Sequence, residues 1–507
     1  METFNPTRGG VVRHFILPVC CLLISALFIS CSPKAEKKTQ SQDYRSLVRV
    51  NATCQAYDPV RPWLKRPPFT RRAIGTVLSG NRILVTAEMV TNATYIELEK
   101  PETAIKSQAQ VEFIDYEANL ALLKADEPDF FKDTIALDLT LDAGSGDDVE
   151  IWQLEDTDVL ARTTGKINTV EVGPYPEGLG RYLVYRLSLS LQYRESAATL
   201  PLIKNGKLAG LLFRYDSRNQ NAAVIAAPII EHFLKDTSDG SYEGFPRMGL
   251  GFSTLRDPQL QSYTGISPES GGVFVSKVLK GGPGDTGGIQ VGDVITSINA
   301  QKIDQDGNYI DPLHGKVSLE HLIGGKSYVG DTLALQIFRE GKTLEKKITL
   351  TRKNAEDFVS PPYSYDKAPP YVVYGGLVFL ELSRSLLKTF GNDWPSTAPQ
   401  KLVYQDAFQE ELFPGEKRRI IIVGQVLPCN GTISYERLAG NIVTKVNGQE
   451  IKSLTDINKG LIQRSGGLDK IEFNDDPGTI YLDPLVVAQE TPALQKAFGI
   501  TELERLK

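Results

Sequence analysis

The chain has 507 residues, 23% of them charged and 41% hydrophobic, with a formal net charge of −6. That length allows about three or four domains with real cores, and the mildly acidic balance gives no electrostatic case for a nucleic-acid partner. With 44 glycines, 29 prolines and only 3 methionines, the composition suits a turn-rich, mainly β protein. The scarce residues exclude more. There are four histidines, His14, His232, His314 and His321, and five cysteines, Cys20, Cys21, Cys31, Cys54 and Cys429. No Cys/His pair stands at metal-ligand spacing, so neither a metal nor a cofactor is expected. Any chemistry that needs histidine must use one of those four.

At the N-terminus, Arg8 and Arg13 precede an apolar run from Phe15 to Ser30 that ends at Cys31, and the polar stretch SPKAEKKTQSQD follows at once. The run is short for a bilayer span of ~20 residues. It resembles a bacterial lipoprotein signal (residues 1–30), in which a small residue, here Ser30, precedes a cysteine that becomes lipidated. The resemblance implies Cys31 as the lipidation site and 31–45 as a tether. It also implies a bacterial envelope protein held at the membrane by that lipid, facing the periplasm or the cell surface. The alternative is an uncleaved anchor helix with Cys31 buried. Cleavage would remove His14, Cys20 and Cys21. Cys54 and Cys429 could then pair in an oxidising compartment, though two unrelated buried thiols are expected.

From Arg45 to about Asp236, short β-rich runs are broken by turn residues: RILVTAEMV (82–90), YIELE (95–99), NLALLK (119–124), YLVYRLSLSL (182–191) and KLAGLLF (207–213). Such runs without intervening helices predict a barrel or sandwich over 46–240. The Pro-initiated amphipathic segment AAPIIEHFLKD (226–236) closes it as a helix. TSDGSYEGF (237–245) reads as a linker, and a second unit covers 241–355. A connector at 356–370, running into SPPYSYDKAPPY (360–371), is expected to be extended and fairly stiff. A third unit covers 371–485, and 486–507 is predicted to be a helical tail.

In the second unit, residues 249–252 are Gly-Leu-Gly-Phe, and GGIQVGDVITSIN occupies 287–299. Both stretches resemble a PDZ domain, the first its carboxylate-binding loop. Backbone N–H groups of a Gly-containing loop can cradle a terminal carboxylate, and the adjoining strand edge then accepts the peptide as an added strand. Leu250, Gly251 and Phe252 are the candidate peptide-binding residues. A lone GLGF is usually an ordinary strand entry; the second stretch about 40 residues later argues against that. The third unit repeats the theme with Tyr374-Gly375-Gly376-Leu377-Val378-Phe379 and NIVTKVNGQEI (441–451). Here Gly440-Asn441 replaces the Gly-Asp, and 383–418 is inserted. Gly376, Leu377 and Val378 could form a second peptide site, or this divergent PDZ-like unit could serve packing or oligomer contacts.

A β-rich unit before two PDZ-like modules resembles the HtrA/Deg family of trypsin-like serine proteases over nearly everything from residue 46 onward. The resemblance implies a mainly β chain: a chymotrypsin-like double β-barrel followed by two α+β PDZ-like domains. The family's R-x-L-T-N-A-H-x-V appears as Arg82-Ile-Leu-Val-Thr-Ala-Glu88-Met-Val90, which puts Glu88 at the histidine position. Its D-L-A-L-L-K appears as Asn119-Leu-Ala-Leu-Leu-Lys124, and G-N-S-G-G-P as Arg194-Glu-Ser196-Ala-Ala-Thr199. The degenerate triad positions are therefore Glu88, Asn119 and Ser196.

A serine hydroxyl needs a base to take its proton during attack. A carboxylate is a poor base for an alcohol and cannot later protonate the leaving amine as imidazolium does. Losing such a base costs about 10⁶ in rate. Asn119 cannot stabilise a positive partner, and Arg194 replaces a glycine of the oxyanion loop. His232, in the closing helix, and His314 and His321, in the PDZ unit, are expected to be satisfied structural residues. The sequence thus reads as a pseudoprotease that binds protein C-termini or extended peptides, or regulates an active HtrA/Deg paralogue. A homo- or hetero-oligomer is implied by the resemblance alone. The rival readings are an active endopeptidase using Ser196 in envelope quality control, and a structural lipoprotein with blocked PDZ grooves. The stretch from Asp304 to Asp311 has the flavour of a calcium loop but lacks its full ligand pattern, and reads as a solvated loop.

Overall fold

The computed structural model describes residues 42–191, 199–464 and 466–506. Its first twelve strands close into two antiparallel barrels of six. The first barrel holds β1 (Leu47–Cys54), β2 (Phe69–Leu78), β3 (Arg82–Val85), β4 (Ala93–Glu99), β5 (Lys106–Asp115) and β6 (Leu120–Ala125), ordered β1-β2-β3-β6-β5-β4. The second holds β7 (Asp148–Leu154), β8 (Leu160–Pro174), β9 (Arg181–Ser188), β10 (Pro201–Lys204), β11 (Lys207–Asp216) and β12 (Asn221–Ala226), ordered β10-β11-β12-β9-β8-β7. β-branched and leucine-rich runs face inward on both, and Leu120 to Leu123 are fully buried. Closing each sheet on itself leaves no exposed edge.

The run 82–90 is strand only as far as Val85. Ala87–Val90 forms one helical turn, α1, because the Thr91 amide and hydroxyl both donate to the Ala87 carbonyl, at 3.0 and 2.8 Å. That turn buries Ala87, Met89 and Val90 and leaves Glu88 exposed. The closing helix α2 (Ala227–Asp236) carries Pro228 in its first turn, where a missing amide hydrogen costs nothing.

The next unit is an antiparallel sheet of β13 (Leu250–Ser253), β14 (Val273–Val278), β15 (Val294–Ile298), β19 (Thr332–Arg339) and β20 (Lys342–Thr349), in that order, with β16 (Gln301–Lys302) on β15. A hairpin of β17 (Asn308–Asp311) and β18 (Gly315–Ser318) projects from it, with α3 (Pro258–Thr264), α4 (Pro283–Thr286) and α5 (Glu320–Gly324) packed around. In the third unit, one sheet runs β23 (Ile421–Val426), β22 (Leu377–Glu381), β21 (Tyr371–Tyr374), β28 (Glu504–Arg505). The other runs β25 (Gln449–Glu450), β24 (Val443–Val446), β26 (Asp469–Phe473), β27 (Thr479–Leu482).

The predicted helical tail is helical only over Pro484–Phe498, and the chain then returns as β28 to pair with β21. It is part of the third unit, since Leu494 and Ile500 lie in that unit's core. The reason is hydrophobic: the helix buries Val487 and Leu494 against the sheets it follows.

From Asp43 onward the barrels and the two later units form one body. Phe233, Phe245 and Tyr182 share a core with Val275 and Leu322 of the second unit. Trp63, from the loop between β1 and β2, sits in the core of the third unit. Its indole Nε1 donates to the Phe498 carbonyl at 3.0 Å, and its ring lies 5.6 Å from that of Tyr371. Among the described residues no helix is long and apolar enough to cross a membrane.

Candidate functional sites in the interbarrel crevice and the PDZ groove

α1 and the β5–β6 turn bring two of the three triad positions together. The Glu88 amide donates to Asn119 Oδ1 at 3.0 Å. Asn119 is 2% exposed and takes φ +54°, a left-handed backbone that asparagine tolerates better than most residues. Its Nδ2 is buried with no partner among the described residues, and neither has Thr86 Oγ1. The Asn119 side chain thus spends its acceptor on the Glu88 backbone and keeps a buried amide donor, unpaired among the described residues. Ser196 lies outside the described residues, as does Cys31.

The turn that carries Asn119 is fixed by buried charge. Asp115 Oδ1 accepts the Ala118 amide at 2.6 Å, and Oδ2 accepts from Arg352 at 3.0 Å and from the Tyr242 hydroxyl. Glu117, 2% exposed, pairs with Arg247. Burial pushes the Glu117 carboxyl up and the Arg247 guanidinium opposes this. Both arginines belong to the PDZ-like unit, so this unit is bolted to the barrel within four residues of Asn119.

None of the described histidines enters the crevice lining. His232 Nε2 bonds the Ser327 carbonyl at 2.9 Å, and its ring lies between those of Phe245 and Tyr328, at 4.3 and 4.2 Å. His314 and His321 lie on the β17–β18 hairpin turn and α5, 6.1 Å apart between ring centroids. Satisfaction was the expectation for all three, and it fails at one atom each. Every Nδ1 is buried without a partner among the described residues. The rings are held by packing rather than by a full set of hydrogen bonds.

The PDZ groove is a cavity of about 570 Å³. Leu250, Gly251 and Phe252 line one side, Ile323 and Gly324 of α5 another, and Tyr182 of the second barrel a third. β13 pairs with β14 alone, so its other edge is free. Gly249 takes φ +66°, and a Cβ on Gly251 would meet Lys277 Cβ at 3.0 Å. Gly251→Trp is expected to lower affinity for C-terminal peptides at least tenfold, measured by fluorescence anisotropy on the full chain. Unchanged affinity would remove this strand from the binding site.

The second candidate loop differs. Gly375 and Gly376 form a two-residue hairpin turn with φ +57° and +82°. β22, which carries Leu377 and Val378, is hydrogen-bonded to β21 on one side and β23 on the other. Leu377 and Val378 are fully buried, and the Leu427 amide donates to the Gly376 carbonyl at 2.7 Å. No edge remains for an added strand, so the packing alternative is the one this geometry fits. Cys54 and Cys429 are both free thiols. In the Asp304–Asp311 stretch, Asp304 pairs with Lys316, Asp306 with Arg256 and Asp311 with Lys326.

Sequence reasoning did not single out Tyr116, Glu177 or Tyr365 of the crevice lining, nor Asp366, which follows Tyr365 in the connector and accepts from the Tyr116 hydroxyl. The tyrosines and aspartate interleaved with prolines in SPPYSYDKAPPY were the available signal, since a bare spacer needs no such side chains.

Residues 246–350 and 360–504 each match a family model described as PDZ domain. At 26% identity the chain is similar to "Protease Do-like 4, mitochondrial" of Arabidopsis thaliana over 342 residues, which are 67% of this chain and 65% of that relative. It is also 26% identical to "Protease Do-like 2, chloroplastic" of the same plant over 456 residues, 83% of this chain and 71% of that one. A solved structure, "HtrA-type protease AlgW with tripeptide", matches at 17% identity and a TM-score of 0.48, over 62% of this chain and 96% of that one. With its trypsin-like double barrel, two PDZ domains and these relatives, the chain belongs to the HtrA/Deg family.

Proposed function

We propose that this protein is a membrane-anchored, proteolytically inactive HtrA/Deg homologue. It binds C-termini or extended segments of envelope proteins in the groove beside Leu250, Gly251 and Phe252, or regulates an active paralogue by joining its oligomer. Lipid on Cys31 holds it in the bacterial envelope. The observation that carries the reading is the Glu88–Asn119 pair. Asn119 spends its acceptor on the Glu88 backbone and retains only a buried amide donor, whereas the aspartate of the family motif would offer an acceptor to an imidazole. With glutamate at the histidine position and asparagine at the aspartate position, the sequence lacks the base and the orienting carboxylate that would take and return the proton of a nucleophilic serine. The free edge of β13 beside a glycine loop supports the binding half of the reading.

The test is incubation of the soluble part with unfolded casein and with a fluorophosphonate probe. The expected result is no cleavage above the no-enzyme control and no labelled band. Casein cleavage that disappears in Ser196→Ala would establish the rival reading, an active endopeptidase.

A further inference from the structure

The crevice between the barrels is a cavity of about 400 Å³. Arg71, Glu88 and Asn119 wall it from the first barrel, and Glu177 and Phe213 from the second. Tyr365 of the connector completes the lining. Its hydroxyl donates to Glu177 Oε1 at 2.6 Å, and Lys388 holds the other Glu177 oxygen at 3.0 Å. Tyr363 and Tyr365 stack with rings 7° from parallel, and Tyr116 packs on both, 5.2 and 5.0 Å between centroids. Asp366 follows at φ +57°, a conformation aspartate adopts more readily than most residues. It accepts from the Tyr116 hydroxyl and the Asn92 amide, and its own amide donates to Asn92 Oδ1 at 2.9 Å.

These are the elements of peptide recognition: an aromatic clamp, an anchored carboxylate acceptor and a reciprocal main-chain contact. They are also separable from folding. Tyr363 and Tyr365 are half-buried and Asp366 is exposed, and none of them belongs to a hydrophobic core. The connector is thus held as a ligand is held, by directional contacts at its surface.

We propose that the rim of the interbarrel crevice, formed by Tyr116, Asn92 and Glu177, is a second peptide-binding site, specific for an extended segment with Tyr-x-Tyr-Asp chemistry, and that Tyr363, Tyr365 and Asp366 of this chain occupy it in cis. It takes an internal segment by its side chains, whereas the PDZ groove takes a terminus by its carboxylate. The proposal stands whether or not Ser196 reacts.

The probe is the peptide SPPYSYDKAPPY, fluorescently labelled and C-terminally amidated so that it presents no carboxylate to the PDZ groove. It is titrated against the full chain and against the variant carrying Tyr365→Ala and Asp366→Gly. Glycine suits the backbone at 366, so the connector keeps its path. The freed rim is expected to bind the probe at least tenfold more tightly than the wild type, in which Tyr363, Tyr365 and Asp366 cover it. Adding Glu177→Ala should abolish the gain. Tyr365→Phe, which removes a single hydroxyl, serves where the double variant unfolds and should give an intermediate affinity. Equal affinity for wild type and the opened variants, or a gain that survives Glu177→Ala, overturns the proposal.

Discussion

Replacing Arg352 with methionine is expected to destabilise the folded protein by about 3–5 kcal/mol, the range for removing one partner of a buried ion pair. Asp115 has no side-chain exposure and Arg352 keeps only 14%. Once the guanidinium is gone, the Asp115 carboxylate retains the Ala118 amide and the Tyr242 hydroxyl, neither of which carries charge. Glu117 lies two residues away and adds a second buried carboxylate, held by Arg247. Calorimetry should show the transition of the barrel and first PDZ unit falling by roughly 10 °C. The double variant Arg352→Met with Asp115→Asn should recover more than half of the loss, because it leaves no orphan charge. A loss under about 1 kcal/mol in the single variant would mean that the pair is wet and contributes little.

Acid should have an effect of similar size. Burial pulls the His321 imidazole down to about 4, with Lys326 assisting, and burial also lowers His232 and His314. Between pH 6.5 and 4 the unfolded chain therefore binds protons that the folded chain refuses. Stability is full above pH 6.5 and falls as the pH drops through that window. The His321 shift alone is worth roughly 3 kcal/mol. Chemical denaturation at pH 7.5 and 4.5 measures this, and His321→Phe should flatten the difference by about that amount. A variant that keeps the full wild-type dependence would show that the imidazole is not what titrates.

The barrels were legible because their strands repeat short inward-facing apolar runs, as in Leu120 to Leu123. The first PDZ domain was legible because two glycine-bearing stretches stood at the right separation. Glu88 and Asn119 were singled out by the resemblance of RILVTAEMV and NLALLK to family motifs. Their mutual contact was hidden, since it joins a helical turn to a left-handed residue 31 positions on. Gly376 misled for a physical reason. A glycine pair before an apolar strand looks the same whether it opens a carboxylate loop or makes a tight hairpin, and only pairing on both sides of β22 decides. The connector misled through composition: Pro-rich sequence predicts stiffness and reach, but says nothing of what its tyrosines rest upon.

Trp63 belongs by sequence to the first barrel and by packing to the last domain, with 435 residues between the indole and its carbonyl acceptor. At typical synthesis rates of 5–20 residues per second, the ribosome needs about 20–90 s to supply that partner. Over that interval a large aromatic side chain on the nascent chain has no core to enter. The loop between β1 and β2 therefore finishes folding only after the last domain is available. A chain truncated before residue 498 would carry the same vulnerability permanently.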